Sequence, residues 1–173
     1  MAATKIYDYE SGKTETYFKP RPNFGQSTYR LQKRAEIEAD KDDWLKRLKE
    51  AASTPQPRIY VGPIVSGEKI IASTKSDQYE FLQQNYSDAL AIEMEGYGFL
   101  KAVETNSGLQ GIVIRGISDL VDRKGEADAS GSQENAAKHA SAFAFELISK
   151  IDLEKEPHTR HLTTLNTSSE SKL

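Results

Sequence analysis

The sequence predicts an α/β fold, a sheet flanked by helices, and the prediction rests on three observations. Residues 89–122 read as strand, helix, strand: Ala-Leu-Ala-Ile, a helical run closed by Ser107-Gly108, then Gly-Ile-Val-Ile-Arg-Gly-Ile. An earlier β-rich run at residues 58–66 precedes a capped helix, so the two element types alternate along the chain. The last long apolar pattern, residues 136–151, is helical in period. Carboxylates close both apolar runs of the 89–122 unit, Glu93 and Glu95 after the first and Asp119 and Asp122 after the second. Ligands of open α/β sheets bind beyond the carboxyl ends of the strands, so these acids are expected to face one crevice.

Taken in order, residues 4–19 are rich in Thr and aromatics and predict two short strands about a Ser11-Gly12 turn. Pro20 and Pro22 are expected to end regular pairing there. Residues 27–52 turn helical, with Leu31, Ala35, Ala39, Trp44, Leu45 and Leu48 as the buried stripe and acids and bases alternating elsewhere. Residues 53–57, Ser-Thr-Pro-Gln-Pro, form a linker. Residues 58–66 predict a strand broken at Gly62-Pro63, and residues 67–73 a loop or second short strand.

Thr74 with Asp77, or Ser76, caps a helix through about residue 86 that buries Tyr79, Leu82 and Tyr86. Residues 89–92 give a strand, 95–106 a helix, and 111–117 a β-branched strand expected to be buried on both faces. Residues 123–131 form a charged loop, and Ser130 with Gln133 suggests a capping box for the last helix. That helix presents Ala136, Ala140, Phe143, Leu147 and Ile151 at helical spacing. The domain therefore spans residues 1–151, and residues 152–173 read as a disordered polar tail.

Composition narrows the function. A chain of 173 residues with net charge −3 and pI near 5.7 offers no general attraction to nucleic acid or to anionic membranes. The basic residues of the 30–50 run are interleaved with acids that cancel their field, so no nucleic-acid partner is expected. Cysteine is absent, which excludes disulfides and Cys-ligated zinc, and the three histidines show no metal-site spacing. No apolar run reaches membrane-spanning length. A cytoplasmic protein is expected. The final Ser171-Lys172-Leu173 would be a peroxisomal address only in a eukaryotic source.

Two motifs, Ile-Glu-Met-Glu-Gly at 92–96 and Arg-Gly-Ile-Ser-Asp-Leu-Val-Asp at 115–122, carry a resemblance to a known family. In this order, with one helix between and an Ala/Phe-rich helix after, the chain resembles the purine nucleoside phosphorylase/uridine phosphorylase superfamily. Its similarity is strongest to the methylthioadenosine/S-adenosylhomocysteine nucleosidases. The segment Val-Ser-Gly-Glu-Lys-Ile-Ile at 65–71 is similar to the family's base-binding stretch, with Lys69 and Ile70 departing from its aromatic pattern. The resemblance implies a three-layer mixed sheet flanked by helices, and cleavage of the N-glycosidic bond of a purine nucleoside or related nucleotide.

By residue, the resemblance implies Asp119 as acid to the leaving base, Met94 and Glu95 at the ribose, and Ile70 and Ile71 against the base. Glu93, Arg115, Ser118 and Asp122 are expected to support them. Cleavage builds positive charge on the sugar and negative charge on the base, so one carboxylate must stay ionised near the sugar. Glu95 at a helix N-terminus suits that task. Asp119 must keep or share a proton at neutral pH, which burial and nearby Asp122 are expected to favour.

The chemistry implied needs no cofactor, with inorganic phosphate a co-substrate only in a phosphorolytic enzyme. The family's first strands, with its Gly-rich loop and water-activating glutamate, have no counterpart here. The chain is therefore expected to be a C-terminal part of the fold, with little activity alone, acting as a homo-oligomer or with a complementing N-terminal half. The competing reading is a nucleoside- or nucleotide-sensing module without catalysis.

Overall fold

The computed structural model describes residues 1–48, 56–123 and 132–151. The expected linker at 53–57, the loop at 123–131, Ser130 of the capping box and the tail at 152–173 fall largely or wholly outside them. Four strands build the main sheet: β1 (Ala2–Asp8), β4 (Asn23–Gln26), β5 (Val61–Ser66) and β6 (Ile92–Glu93), in the order β4-β1-β5-β6. β1 runs antiparallel to β4 and parallel to β5, and β5 runs parallel to β6, so the sheet is mixed. A separate ribbon pairs β2 (Gly12–Thr14) with β3 (Phe18–Pro20).

The reversal expected at Ser11-Gly12 is not the turn of a β1 hairpin. β1 lies inside the sheet, and β2 turns instead to β3. Pairing of this ribbon ends where the prolines predict: Pro20, opposite Gly12, is the last paired residue of β3, and residues 21–22 lie outside any strand. The expected break at Gly62-Pro63 has another outcome. β5 runs unbroken through it, and the register between β1 and β5 shifts opposite Pro63, between Ala3 and Ile6. A proline cannot feed the ladder, so the partner strand slips there. The slip reverses side-chain phase along β1, so Ala3 and Ile6, an odd and an even position, share one face.

Helices cover both faces. α1 (Tyr29–Ala39), a 3-10 turn (Asp43–Arg47) and α4 (Ser132–Ser149) enclose one cluster, Ala2, Ala35, Trp44, Ala142, Phe143 and Leu147. On the opposite face α3 (Gly96–Thr105) sets Leu100 against Ala3, Ile6 and Ile64. At the carboxyl end of the sheet α2 (Asp77–Asn85) packs Leu82 and Tyr86 against Tyr9 and Val65. Ser76 caps α2, accepting from Tyr79 N–H at 3.2 Å, whereas Thr74 has a different partner. Tyr79 is only half-buried. After α3 the chain leaves through Gly108, whose φ of +86° suits glycine.

The stripe expected in residues 27–52 is largely observed: Leu31, Ala35 and Trp44 are buried, and Ala39, Leu45 and Leu48 pack partly buried against the core. Two acids join the interior unforeseen. Glu38 is buried with Arg34 at 3.2 Å and Lys41 at 3.1 Å. Glu146 pairs with Arg47 at 2.7 Å and Lys150 at 3.1 Å, joining the 3-10 turn to α4.

Hydrogen bonds from Arg47, then Lys150, hold the Glu146 carboxyl below its ordinary value. A depressed carboxylate stabilises the fold above its unfolded pKa, and that contribution is lost as pH falls through the lower folded value. The melting temperatures of the parent and Glu146→Gln are therefore expected to differ at neutral pH and to converge in acid. A difference that persists below the folded pKa would count against the linkage.

The stretch 111–117 departs from expectation. It is extended and antiparallel beside the start of β1, through Ala3 N–H to Val113 O and Arg115 N–H to Met1 O, both at 2.9 Å. Ile112, Val113 and Ile114 are half-buried and Ile117 is exposed, so this stretch is not covered on both faces. The strand expected at 89–92 shrinks to Ile92–Glu93, opposite Val65 and Ser66.

Candidate functional site

Two of the strand-end acids, Glu93 and Glu95, are joined by one arginine. Glu93 ends β6 with its side chain turned back and buried. Its Oε2 accepts from the N–H groups of Glu95 at 3.1 Å and Gly96 at 2.8 Å. It thus supplies the cap of α3, satisfying donors that open every helix. A Cβ at 96 would lie 2.5 Å from Ile6 Cδ1 and 3.0 Å from both Glu93 carboxylate oxygens, so a larger residue there must displace the Ile6 methyl or crowd the carboxylate.

Arg115 Nη1 reaches Glu93 Oε2 at 2.9 Å and Glu95 Oε2 at 2.8 Å. Its backbone is set by the bond to Met1 O. The Glu95 side chain is 72% exposed, so one of its oxygens is held by Arg115 while the group stays open to a ligand. Glu93 Oε1 is buried with no hydrogen-bond partner among the described residues.

Three residues beyond Arg115, Ser118 Oγ donates to Asp119 Oδ2 at 2.7 Å. Asp119 is half-buried. Asp122 bonds a different partner. The Asp122 carboxylate takes both the backbone N–H of Thr74, at 2.8 Å, and the Thr74 hydroxyl. Those two bonds, with a smaller effect of Lys75, hold the Asp122 carboxyl below its ordinary range. The expected pairing of Asp122 with Asp119 is not among the hydrogen bonds of the described residues, where both Asp122 oxygens bond Thr74.

Met94 and Ile70 are exposed, at 45% and 64%, and Ile71 lies half-buried against the cluster around Tyr9 and Val65. The structure thus joins Glu93, Glu95 and Arg115 in one network, Ser118 and Asp119 in a second, and Asp122 with Thr74 in a third. No hydrogen bond or ion pair among the described residues links Asp119 to Glu95.

Residues not foreseen from sequence hold the segment 67–76. Glu10 accepts from Glu68 N–H at 2.8 Å and pairs with Lys69 at 3.2 Å, and its carboxyl is lowered chiefly by the Glu68 bond. Tyr9 OH donates to Lys69 O at 3.3 Å, and burial pushes its phenol up. Glu10 lies in the turn after β1, and only the pairing of β1 with β5 reveals that this turn abuts residue 68. Thr74 did carry a signal, but as a helix cap.

A separate concavity lies between α4 and residues 57–60, with Trp44, His139 and Phe143 in its wall. Of the expected site residues it includes only Arg115. Among the described residues no three His, Cys, Asp or Glu groups converge as a metal site, and no helix is long and apolar enough to cross a membrane.

A mixed sheet between helical layers is the fold that the resemblance implies, and at the end of β6 Arg115 joins Glu93 and Glu95. Residues 1–151 match the phosphorylase superfamily, and the chain belongs to it.

Among solved structures it is similar to the 5′-methylthioadenosine/S-adenosylhomocysteine nucleosidase of S. pneumoniae bound to a transition-state inhibitor, at 20% identity and a TM-score of 0.64. That match covers 87% of this chain and 61% of the other. The S-adenosylhomocysteine nucleosidase of Streptococcus pyogenes, in complex with 5-methylthiotubericidin, is similar at 19% identity and a TM-score of 0.65, over 88% of this chain and 60% of that one. A futalosine hydrolase mutant of Helicobacter pylori matches at 14% identity and a TM-score of 0.57, over 87% and 60%. The chain therefore spans about three fifths of the length of these structures. Comparison with curated protein sequences gave no match.

Proposed function

We propose that this site cleaves the N-glycosidic bond of a purine nucleoside or a related nucleotide. The observation that carries the proposal is the Arg115 bridge: the arginine that fixes Glu95 lies on the extended stretch that leads, four residues on, to Asp119. In the proposed reaction the bond between ribose C1′ and the purine nitrogen breaks and its electron pair goes to the base. Asp119 delivers a proton to that base, at N7. Glu95 holds the ribose 2′ and 3′ hydroxyls and its negative charge favours the cationic sugar. Met94 lies along the ribose, and Ile70 with Ile71 lies against the base. Water or phosphate then adds to C1′, and neither route calls for a resident cofactor.

Catalysis by this reading depends on a further contribution, a complementing segment or a second copy, that supplies the group activating the nucleophile. An open sheet edge supports this part. The antiparallel bridge at Ala2 and Ile114 turns the N–H and C=O of Ile114 away from β1, and no backbone partner takes them among the described residues.

The test presents the purified chain with adenosine, methylthioadenosine and ATP, each with and without phosphate. Calorimetry reads binding and chromatography reads products. Nucleoside binding with little or no base release is expected of the chain alone, and release on addition of a complementing polypeptide. Free ribose product means hydrolysis and ribose 1-phosphate means phosphorolysis. Single-turnover release of adenine by the chain alone overturns the need for complementation. Failure to bind any of the ligands overturns the site itself. Binding that never leads to release, with or without complementation, makes the chain a sensing module instead.

A further inference from the structure

The segment 67–76 is fastened at both ends and free in the middle. Near its start, Glu10 and Tyr9 take Glu68 N–H, the Lys69 ammonium and Lys69 O. Near its end, Asp122 takes the N–H and the hydroxyl of Thr74, across 48 positions of sequence. Between these points stands Ile70, exposed, with Ile71 tucked beneath. The next turn is internally closed, Ser76 Oγ donating to Ser73 O at 2.8 Å and Lys75 N–H to Ser73 Oγ at 3.1 Å. Asp122 lies in the 3-10 turn Val121–Arg123, one residue beyond Ser118 and Asp119. The bond from Thr74 to Asp122 is thus the described hydrogen-bonded link between the loop carrying Ile70 and the loop carrying Asp119.

We propose that Thr74 and Asp122 are a pair of positioning residues. Their two-point hydrogen bond sets the distance between the base-facing loop and the turn that carries the proposed acid, and so sets how tightly a purine base is held. The ligand part of this proposal rests on the function proposed above. The fastening itself does not.

An ionised carboxylate that accepts two donors from one residue is charge-assisted and directional. Thr74 offers both donors from a single position, and serine would do the same. Valine keeps only the backbone N–H, and alanine at 122 removes the acceptor altogether. The predicted order of effect is therefore Asp122→Ala, then Thr74→Val, with Thr74→Ser equal to the parent. Removing Thr74's hydroxyl in a chain that already lacks the carboxylate should add nothing, since the pair acts as one unit.

The experiment measures hydrogen–deuterium exchange of the 67–76 amides in the full chain, together with the affinity for methylthioadenosine. In Asp122→Ala the amides near Thr74 are expected to exchange roughly tenfold faster, and in Thr74→Val about threefold faster, which is the scale of losing one or two hydrogen bonds. Thr74→Ser should match the parent, and the double variant should match Asp122→Ala. The change should stay local, with the melting temperature held, and the Kd should rise by a similar factor.

Unchanged exchange in Asp122→Ala, or exchange in Thr74→Ser as fast as in Thr74→Val, overturns the fastening. Acceleration spread over the whole chain with a lower melting temperature overturns it too. Faster local exchange with an unchanged Kd overturns its role toward the ligand. A parent chain that binds no nucleoside overturns the proposed function instead, while the exchange measurement still decides the fastening.

Discussion

An Asp119→Asn variant is expected to bind an adenine nucleoside as tightly as the parent and to release base about 10²–10⁴-fold more slowly, the usual span for losing a general acid. The change is nearly isosteric, and the amide oxygen it introduces can still accept the Ser118 hydroxyl that holds Asp119 at 2.7 Å. Binding to sugar and base should survive because Glu95, Met94 and the Ile70 loop are untouched. In the proposed reaction only the proton for the leaving purine is lost. The rate is read by chromatography of quenched samples in the preparation that releases base, and the affinity by calorimetry. An equal fall in both would show that position 119 contributes ground-state binding rather than transition-state stabilisation. Base release undiminished in Asp119→Asn would remove Asp119 from the chemistry.

Arg115→Met should cost about 2–3 kcal/mol of folding stability as well as nucleoside affinity. Removing one partner of a buried ion pair costs roughly 3–5 kcal/mol, discounted here because the Arg115 side chain is 42% exposed and Glu93 keeps two backbone donors. The Glu95 end of the bridge is exposed and adds little stability, so its loss should appear in ligand affinity instead. Glu93→Gln offers the control, since an amide oxygen can keep capping α3 while the buried charge is gone. Chemical denaturation and calorimetry on the two variants separate these contributions. Stability unchanged in Arg115→Met would mean that Glu93 is satisfied by its backbone donors alone.

Helical periodicity exposed most of the framework before any coordinates. The stripes of α1 and α4 and the serine cap of α2 follow from local rules, because a helix satisfies its own backbone. Strand pairing was harder. β1 reads as half of a local hairpin, yet it pairs with β4 and β5 at long range, and only the assembled sheet decides between the two. The Gly62-Pro63 signal was real but misplaced, since the irregularity it demands is borne by β1.

Site residues divide the same way. The acids at 93, 95 and 119 were visible as carboxylates at strand ends. The partners that fix them, Arg115 for two of them and Thr74 for Asp122, depend on side-chain direction, which spacing does not encode. Glu10 had no signal, because its role exists only where β1 and β5 end side by side.

The seam between the start of β1 and residues 113–115 has a consequence for biosynthesis. Met1 and Ala3 hold the strand that carries Arg115, with more than a hundred residues of chain between the paired positions. Contacts of such separation form late, because the loop they close must be ordered first. On a translating ribosome β4 would cover Lys5–Asp8 soon after β1 emerged, but the first residues of β1 would wait with that flank bare while α1, β5, α2 and α3 were still being made. The acidic network would then be completed at the end of folding rather than seeding it, and chains stalled before residue 115 would leave the start of β1 uncovered on that flank.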